Sequence, residues 1–249
     1  MLVGYTGFVG SNLTQQMEFD HLVNSKNIAE FAGTEVDELI VSAGDARKWL
    51  ANKEPENDLE HINKLFDDVS QIKAKKVVLF STVDVYEDKN GIYEGSFEVA
   101  HQPYGKHRWQ FEQQVLAHFE QVTVVRLPGL FGNGLKKNII FDIIAGKDIS
   151  GFNPNSAFQW FHLDDVKKVI DYCKNNEITE LNVTAEPVTV AELCNSVDVD
   201  LALLDENAPL VKYDICSKHA SKYSGHSDYL YTKQESLEQI AQYIAGSRS

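Results

Sequence analysis

The sequence predicts an α/β fold: a doubly wound parallel sheet in the first part of the chain and a small mixed lobe near the C-terminal half. Three observations carry that reading. Short runs such as Glu38 to Ala43, Lys76 to Phe80 and Val122 to Leu127 are almost continuously apolar, as in parallel strands buried on both faces. Segments with apolar residues at helical spacing lie between them, and strands alternating with helices imply parallel βαβ units. Three glycines, Gly4, Gly7 and Gly10, follow the first strand at G-x-x-G-x-x-G spacing.

Taken in order, Leu2-Val3 is a short strand, and Ser11 to Glu18 reads as a helix with Leu13 and Met17 on one face and Ser11 at a favourable N-cap position. His21-Leu22-Val23 and Glu38 to Ala43 are the next strands. Leu59, Ile62, Leu65, Phe66 and Val69 repeat at helical spacing, so Leu59 to Ile72 is a helix, and Lys76 to Phe80 returns to strand composition. Tyr104 to Phe119 is a further helix, and Val122 to Leu127 is a strand stopped by Pro128-Gly129. Past Gly132 the alternation weakens. Helices are expected at Asn138 to Ala145 and Asp164 to Lys174, strands near Phe158 to Phe161 and Leu181 to Val183, and a closing amphipathic helix over Gln234 to Ile244. The polar stretch Lys212 to Ser227 reads equally as a lid or a surface loop. The expected organisation is a Rossmann-type domain over 1–132, to which segments around 155–185 return, and a substrate-side lobe with the closing helix over 133–249.

Composition narrows the function classes. With 249 residues, 43% hydrophobic and 24% charged, the chain is ordinary for a globular protein. Its net charge of −14, without a Lys/Arg block, argues against a nucleic-acid partner. Cys173, Cys194 and Cys216 are odd in number and lack C-x-x-C spacing, so neither a disulfide framework nor a metal site is expected and a cytoplasmic location fits. No apolar run reaches the roughly 18 residues of a membrane span, and none is expected to meet a membrane.

The glycine turn carries the first functional signal. In Gly4-Tyr5-Thr6-Gly7-Phe8-Val9-Gly10, the first glycine permits the tight turn, the second lets backbone N–H groups approach a pyrophosphate, and the third lets helix and strand pack closely. This predicts a dinucleotide site built from Gly4, Thr6, Gly7, Phe8, Val9 and Gly10. An acidic residue at the end of the second strand would favour NAD through the ribose hydroxyls. The chain instead has Asn24-Ser25-Lys26-Asn27, donors and a cation that suit a 2′-phosphate, so NADP is preferred over NAD. Lys26 also reads as an ordinary solvated lysine. Ser42-Ala43-Gly44, at the end of an apparent strand, either passes along the cofactor or is a plain tight turn.

Ser81-Thr82-Val83-Asp84-Val85-Tyr86 places hydroxyls at the carboxyl end of a strand, and Pro103-Tyr104-Gly105-Lys106-His107-Arg108 opens a helix about twenty residues later. With the glycine turn, these segments resemble the extended short-chain dehydrogenase/reductase superfamily, the NAD-dependent epimerase/dehydratase family. Ser81 to Tyr86 is similar to its S-S-x-x-V-Y, and Tyr104-Gly105 falls at its Y-G-x-x-K. Arg126 to Gly132 is similar to R-P-x-N-V-Y-G, Phe161 to Val166 to F-I-H-V-D-D-V, and Leu181-Asn182-Val183 to its N-V-G strand.

The resemblance implies that Thr82 orients the substrate oxygen, that Tyr104 is the general acid/base, and that Ala43, Gly44, Tyr104, Arg108, Pro128 and Leu130 lie along the cofactor. Moving a phenol from near 10 to about 7 requires roughly 4 kcal/mol of selective phenolate stabilisation. The family obtains much of it from a lysine four residues on. This chain has Arg108 there, which keeps the charge but not the ammonium geometry. Lys106 is on another helical face. Dehydratases of the family place an Asp-Glu pair after the catalytic threonine, whereas Val83-Asp84 supplies one carboxylate, which argues against dehydration.

Asp84 either touches substrate or is a loop carboxylate. Asn133, Lys136, Lys137 and Asn138 are candidate substrate contacts, and Trp160 and His162 candidate pocket walls, each with a plain core or surface reading beside it. The reading is an NAD(P)-dependent oxidoreductase acting on a carbonyl or alcohol of a small polyhydroxylated or sugar-nucleotide-like substrate. An NAD-dependent epimerase and a weakly active NADP-binding regulator are the alternatives. Homodimerisation through Leu59 to Ile72 and Tyr104 to Phe119 is implied by the resemblance alone.

Overall fold

The computed structural model describes residues 1–95 and 97–247. In chain order the strands and helices are β1 (Leu2–Val3), α1 (Phe8–Leu13), β2 (Leu22–Val23), β3 (Glu35–Val41), α2 (Lys48–Lys53), α3 (Pro55–Ser70), β4 (Lys73–Thr82), β5 (Asn90–Ile92) and α4 (Pro103–His118). They continue with β6 (Val122–Leu127), β7 (Gly129–Phe131), α5 (Ile139–Ile144), β8 (Ala157–Phe158), β9 (Trp160–His162), α6 (Val166–Asn175), β10 (Glu180–Asn182), β11 (Val188–Thr189), α7 (Val190–Ser196), β12 (Asp214–Ile215), α8 (Ala220–Ser224) and α9 (Lys233–Ser247). They pack as two units.

The first unit takes Met1–Asp88, Glu94–Leu127 and Val166–Asn182. Its centre is a six-stranded sheet in the order β10-β6-β4-β3-β1-β2, with every pairing parallel. Apolar residues of β1, β3, β4 and β6, such as Leu39, Val41, Leu79 and Val124, are buried against Ile62 and Val69 of α3 and Phe111 and Val115 of α4. The register sets Val3 beside Val23 and Val41, and Thr82 beside Leu127. The turns after these strands therefore leave the sheet on one edge. β1 lies between β2 and β3, so the strand order reverses there, and ligands of open α/β sheets bind at the carboxyl ends beside such a reversal.

A buried polar network ties this edge together. Arg126 on β6 donates to both carboxylate oxygens of Glu112 on α4 and to the Tyr86 hydroxyl, and that hydroxyl donates to Asn182 Oδ1 at 2.7 Å. Glu112 is fully buried, which a carboxylate tolerates only when its charge and lone pairs are met. Burial pushes the Tyr86 phenol up to about 12, so this residue is a structural hydrogen-bond donor.

The second unit takes Lys89–Tyr93, Pro128–Asp165 and Val183–Ser249. Its strands form three two-stranded pairs, β7 with β9, β8 with β11 and β5 with β12. Phe131, Ile139, Ile143, Trp160, Leu193 and Ile240 form its core with α5, α7 and α9 around them. The boundary between the units falls after Leu127, against the expected 132, and the returning segment is 166–182, against 155–185.

Several elements differ from expectation. The first helix begins at Phe8 instead of Ser11, with Gly7 as its N-cap. Ser11 is inside the helix, and its hydroxyl bonds back to the Phe8 carbonyl. The helix starts early because the glycine turn itself supplies its first turn. The single strand expected at Phe158 to Phe161 is two strands separated by Gln159. The Gln159 amide donates to the Ala185 and Ile215 carbonyls and accepts from the Ile215 N–H, so its polar side chain faces protein. Lys212 to Ser227 is not a bare loop but contains β12 and α8.

Candidate active site

The glycine turn is built by close backbone contact. Gly4 has φ +94°, and a Cβ there would lie 2.8 Å from the backbone of Ser42 and Ala43 at the end of β3. A Cβ on Gly10 would lie 2.1 Å from the Gly4 carbonyl oxygen. Glycine is thus required where α1 crosses the end of β1. Gly7 offers no side-chain cap and the first turn of α1 holds no acidic residue. The leading N–H groups of Phe8, Val9 and Gly10 have no intrahelical acceptor, which leaves them for an anion. Thr6 and Gly7 are exposed. The turn therefore fits a pyrophosphate.

The segment after β2 is a small ordered turn. Asn27 Oδ1 accepts from the Asn24 N–H, and Asn24 Oδ1 accepts from the Lys26 N–H. Both asparagine side chains are thus engaged in the turn, while Ser25 and Lys26 are exposed. After β3, Ser42 Oγ donates to the Val3 carbonyl, so Ala43 and Gly44 are held beside the glycine turn.

At the end of β4, Thr82 Oγ1 accepts from the Asp84 N–H at 3.1 Å and caps a single 3₁₀ turn over Val83–Val85. Helix α4 packs against this turn. The contact depends on Gly105, where a Cβ would lie 2.0 Å from the Asp84 carbonyl oxygen. The Tyr-Gly pair of the motif therefore has a packing cause. The glycine lets the first turn of α4 approach Thr82 and Asp84, and Tyr104 comes with it. The Tyr104 N–H donates to Asn52 Oδ1 at 2.9 Å.

Tyr104 is buried, with the Arg108 guanidinium 4.5 Å from its ring centre. Burial pushes the phenol above its ordinary value. Arg108 and Lys48 oppose that rise, and Asp84 and Asp58 add to it. Arg108 is itself held by two partners. It donates to both oxygens of Asp58 at 2.7 and 2.8 Å and to the Asp45 carbonyl at 2.6 Å. Asp58 also lies 2.8 Å from His107 Nδ1. Burial alone would raise the Asp58 carboxyl, but the bonds from Arg108 and His107 hold it below its ordinary value.

Asp84 forms an ion pair with Lys48 at 2.6 Å, and the next residue, Val85, is fully buried. Lys48, Asn52, Asp58 and His107 belong to this site although no motif marked them. Lys106 is exposed on the outer face of α4.

The remaining candidates belong to the second unit. Asn133 and Lys136 are exposed, and Pro128 and Leu130 are half-buried. Asn138 caps α5 by accepting from the Phe141 N–H and donates to the Leu130 carbonyl. Trp160 lies in the core of this unit beside Phe158. His162 packs edge-on against Phe131. Among the described residues no group of His, Cys, Asp or Glu is arranged to hold a metal ion, and no helix is long and apolar enough to cross a membrane. None of the three cysteines is in a disulfide, and all three are buried.

The model of the NAD dependent epimerase/dehydratase family matches residues 1–183. The chain belongs to that family. This places it among enzymes of the extended short-chain dehydrogenase/reductase type. Solved structures with the same fold include UDP-glucose 4-epimerase of Thermotoga maritima with UDP-glucose, at TM-score 0.74 and 14% identity, covering 100% of this chain and 99% of that one. dTDP-4-dehydrorhamnose reductase of Yersinia enterocolitica aligns at TM-score 0.71 and 15% identity, over 100% and 98%. A double mutant of DesIV, a dTDP-glucose 4,6-dehydratase of Streptomyces venezuelae with NAD and DAU bound, aligns at TM-score 0.75 and 15% identity, over 100% and 96%. Three different reactions thus share this fold, so the reaction must be argued from the site. No curated protein matches the chain.

Proposed function

We propose that the chain is a nicotinamide-dinucleotide-dependent oxidoreductase acting on a carbonyl or alcohol carbon of a small polyhydroxylated or sugar-nucleotide-like substrate. The observation that carries this reading is the contact of Gly105 with the Asp84 carbonyl, which joins Tyr104 to the hydroxyl-bearing end of β4 in the unit that also holds the glycine turn. The N–H groups of Phe8, Val9 and Gly10 would hold the pyrophosphate, with Ala43 and Gly44 beside it and Arg108 further along in the same unit. Lys26, without an acidic residue at the end of β2, favours NADP over NAD. When bound, the dinucleotide supplies or accepts the hydride.

The chain's own residues manage the oxygen and its proton. Thr82 Oγ1 accepts from the Asp84 N–H, which leaves its hydroxyl proton to orient a substrate oxygen. Tyr104, kept as the neutral phenol by burial, donates its proton to that oxygen as carbonyl becomes alcohol, and recovers it in the reverse direction. Dehydration has less support. Asp84 is paired with Lys48, and buried Val83 stands beside it where the dehydratase pair would have its other acid.

The decisive experiment is a screen of carbonyl substrates, read by nicotinamide absorbance, on the native chain and on Tyr104→Phe. The substitution is expected to lower kcat by about 10²-fold or more while dinucleotide affinity is retained. Unchanged turnover would overturn the assignment.

A further inference from the structure

The sheet stops one strand short at its nucleotide end. A doubly wound dinucleotide fold is built from two βαβαβ halves, so the strand that opens the chain has two further strands on its outer side. Here β1 is followed by α1 and β2, and the order β10-β6-β4-β3-β1-β2 ends there. Among the described residues no strand pairs with the outer edge of β2. The chain leaves β2 and returns past β1 to β3 through residues 24–34, whose regular structure is a short 3₁₀ helix over Ile28–Phe31. Ile28 and Phe31 pack into the core with Ile62 and Val69 of α3, so the short cut is a built part of the fold. Val23 faces that core and is fully buried. Leu22 points to the opposite face of the sheet and is 39% exposed, where the next helix and strand of a complete half would pack.

The shortened half is furnished for phosphate and ribose and not for a base. Asn27 Oδ1 accepts from the Asn24 N–H, Asn24 Oδ1 accepts from the Lys26 N–H, and Asn27 Nδ2 donates to the Leu22 carbonyl. The turn thus consumes both asparagine side chains within itself. It presents the exposed Ser25 and Lys26, a hydroxyl and an ammonium. A ring system is held between apolar and aromatic walls, and Asn24-Ser25-Lys26-Asn27 contains no such side chain. Beyond this turn the sheet offers no further strand end to carry one.

We propose that the chain holds its dinucleotide by the pyrophosphate and the ribose phosphate and leaves the base at that end in solvent, so that dinucleotides differing in this base are interchangeable. The inference rests on the dinucleotide reading given above. In the test the native full chain is titrated by calorimetry with NADP, with its hypoxanthine analogue and with its etheno-adenine analogue. The first analogue alters the hydrogen-bonding edge of the base, and the second adds a ring to it. Both are expected to bind within about fivefold of NADP, because neither change meets protein. A pocket that encloses its ligand loses about tenfold or more for one misplaced group. The etheno base is also fluorescent, and acrylamide should quench the bound form at a rate within about fivefold of that for the free nucleotide. A loss of more than about fivefold in the affinity of either analogue or in the quenching rate overturns the inference. In that outcome NADP still binds and the dinucleotide site stands. Failure of all three nucleotides to bind refutes the dinucleotide reading and this inference with it.

Discussion

Replacement of Arg108 by leucine tests how this site is held together. The side chains of Arg108 and Asp58 are 9% and 6% exposed, and the guanidinium meets both carboxylate oxygens. Arg108→Leu leaves a buried carboxylate facing only the His107 ring, at 2.8 Å, among the contacts that remain on its oxygens. Breaking a buried pair from one side costs about 3–5 kcal/mol. Loss of the guanidinium over the Tyr104 ring adds about 0.5–2 kcal/mol, partly offset by the apolar leucine. For a chain of this size that corresponds to a fall in Tm of roughly 6–20 °C. The double variant Arg108→Leu/Asp58→Leu should recover most of the loss, because the uncompensated charge is then gone.

The pH dependence gives the sharper test. In the native chain the Asp58 carboxyl lies below its ordinary value. Such a group contributes stability that is present above the unfolded value near 4 and drains as pH falls through the lower folded value. Without Arg108, burial dominates and the carboxyl rises above its unfolded value. The native state then binds more protons than the unfolded state, so the variant loses further stability as pH climbs from 4 toward the new value. Urea unfolding at pH 4.5 and 7.5 should therefore show a smaller deficit at the lower pH. A deficit under about 1 kcal/mol, or one equal at both pH values, would refute the claim that Asp58 is held ionised by Arg108.

Two further substitutions test the nucleotide end of the site. Gly10→Ala places a methyl group 2.1 Å from the Gly4 carbonyl. It should destabilise the chain by at least about 1–3 kcal/mol and abolish dinucleotide binding in a fluorescence titration with NADPH; native affinity in that variant would show that the turn is not the site. Lys26→Met should weaken NADPH about tenfold, about 1.4 kcal/mol, and leave NADH unchanged. Equal effects on both cofactors would remove the preference for NADP.

How far the sequence could be read depended on whether a residue's role is settled by its neighbours in the chain. β6 was legible to the residue because Val122–Leu127 is buried almost throughout. The roles proposed for Tyr104 and Thr82 rest on the family motifs that mark them. By contrast α2 was not foreseen. It is six residues long, too short for a periodic apolar stripe, and its Trp49 is 63% exposed. With α2 went Lys48 and Asn52, whose significance lies in contacts 36 and 52 residues away.

Asp58 and Arg108 are a more instructive loss, because a signal for them existed. On α3 the buried positions are Asp58, Ile62 and Val69, so Asp58 stands one turn before Ile62 on the core-facing stripe. On α4 the buried face combines Phe111 and Val115 with Tyr104, His107, Arg108 and Glu112. A charged side chain on a stripe that faces the core must meet an opposite charge there. Two neighbouring helices, one bringing a lone carboxylate and the other a lone guanidinium near its start, already imply a pair between them. The second carboxylate, Glu112, implies another cation, which β6 supplies as Arg126. Read this way, the arginine in place of the motif's lysine serves the packing of α4 on α3 while its guanidinium also lies over the Tyr104 ring.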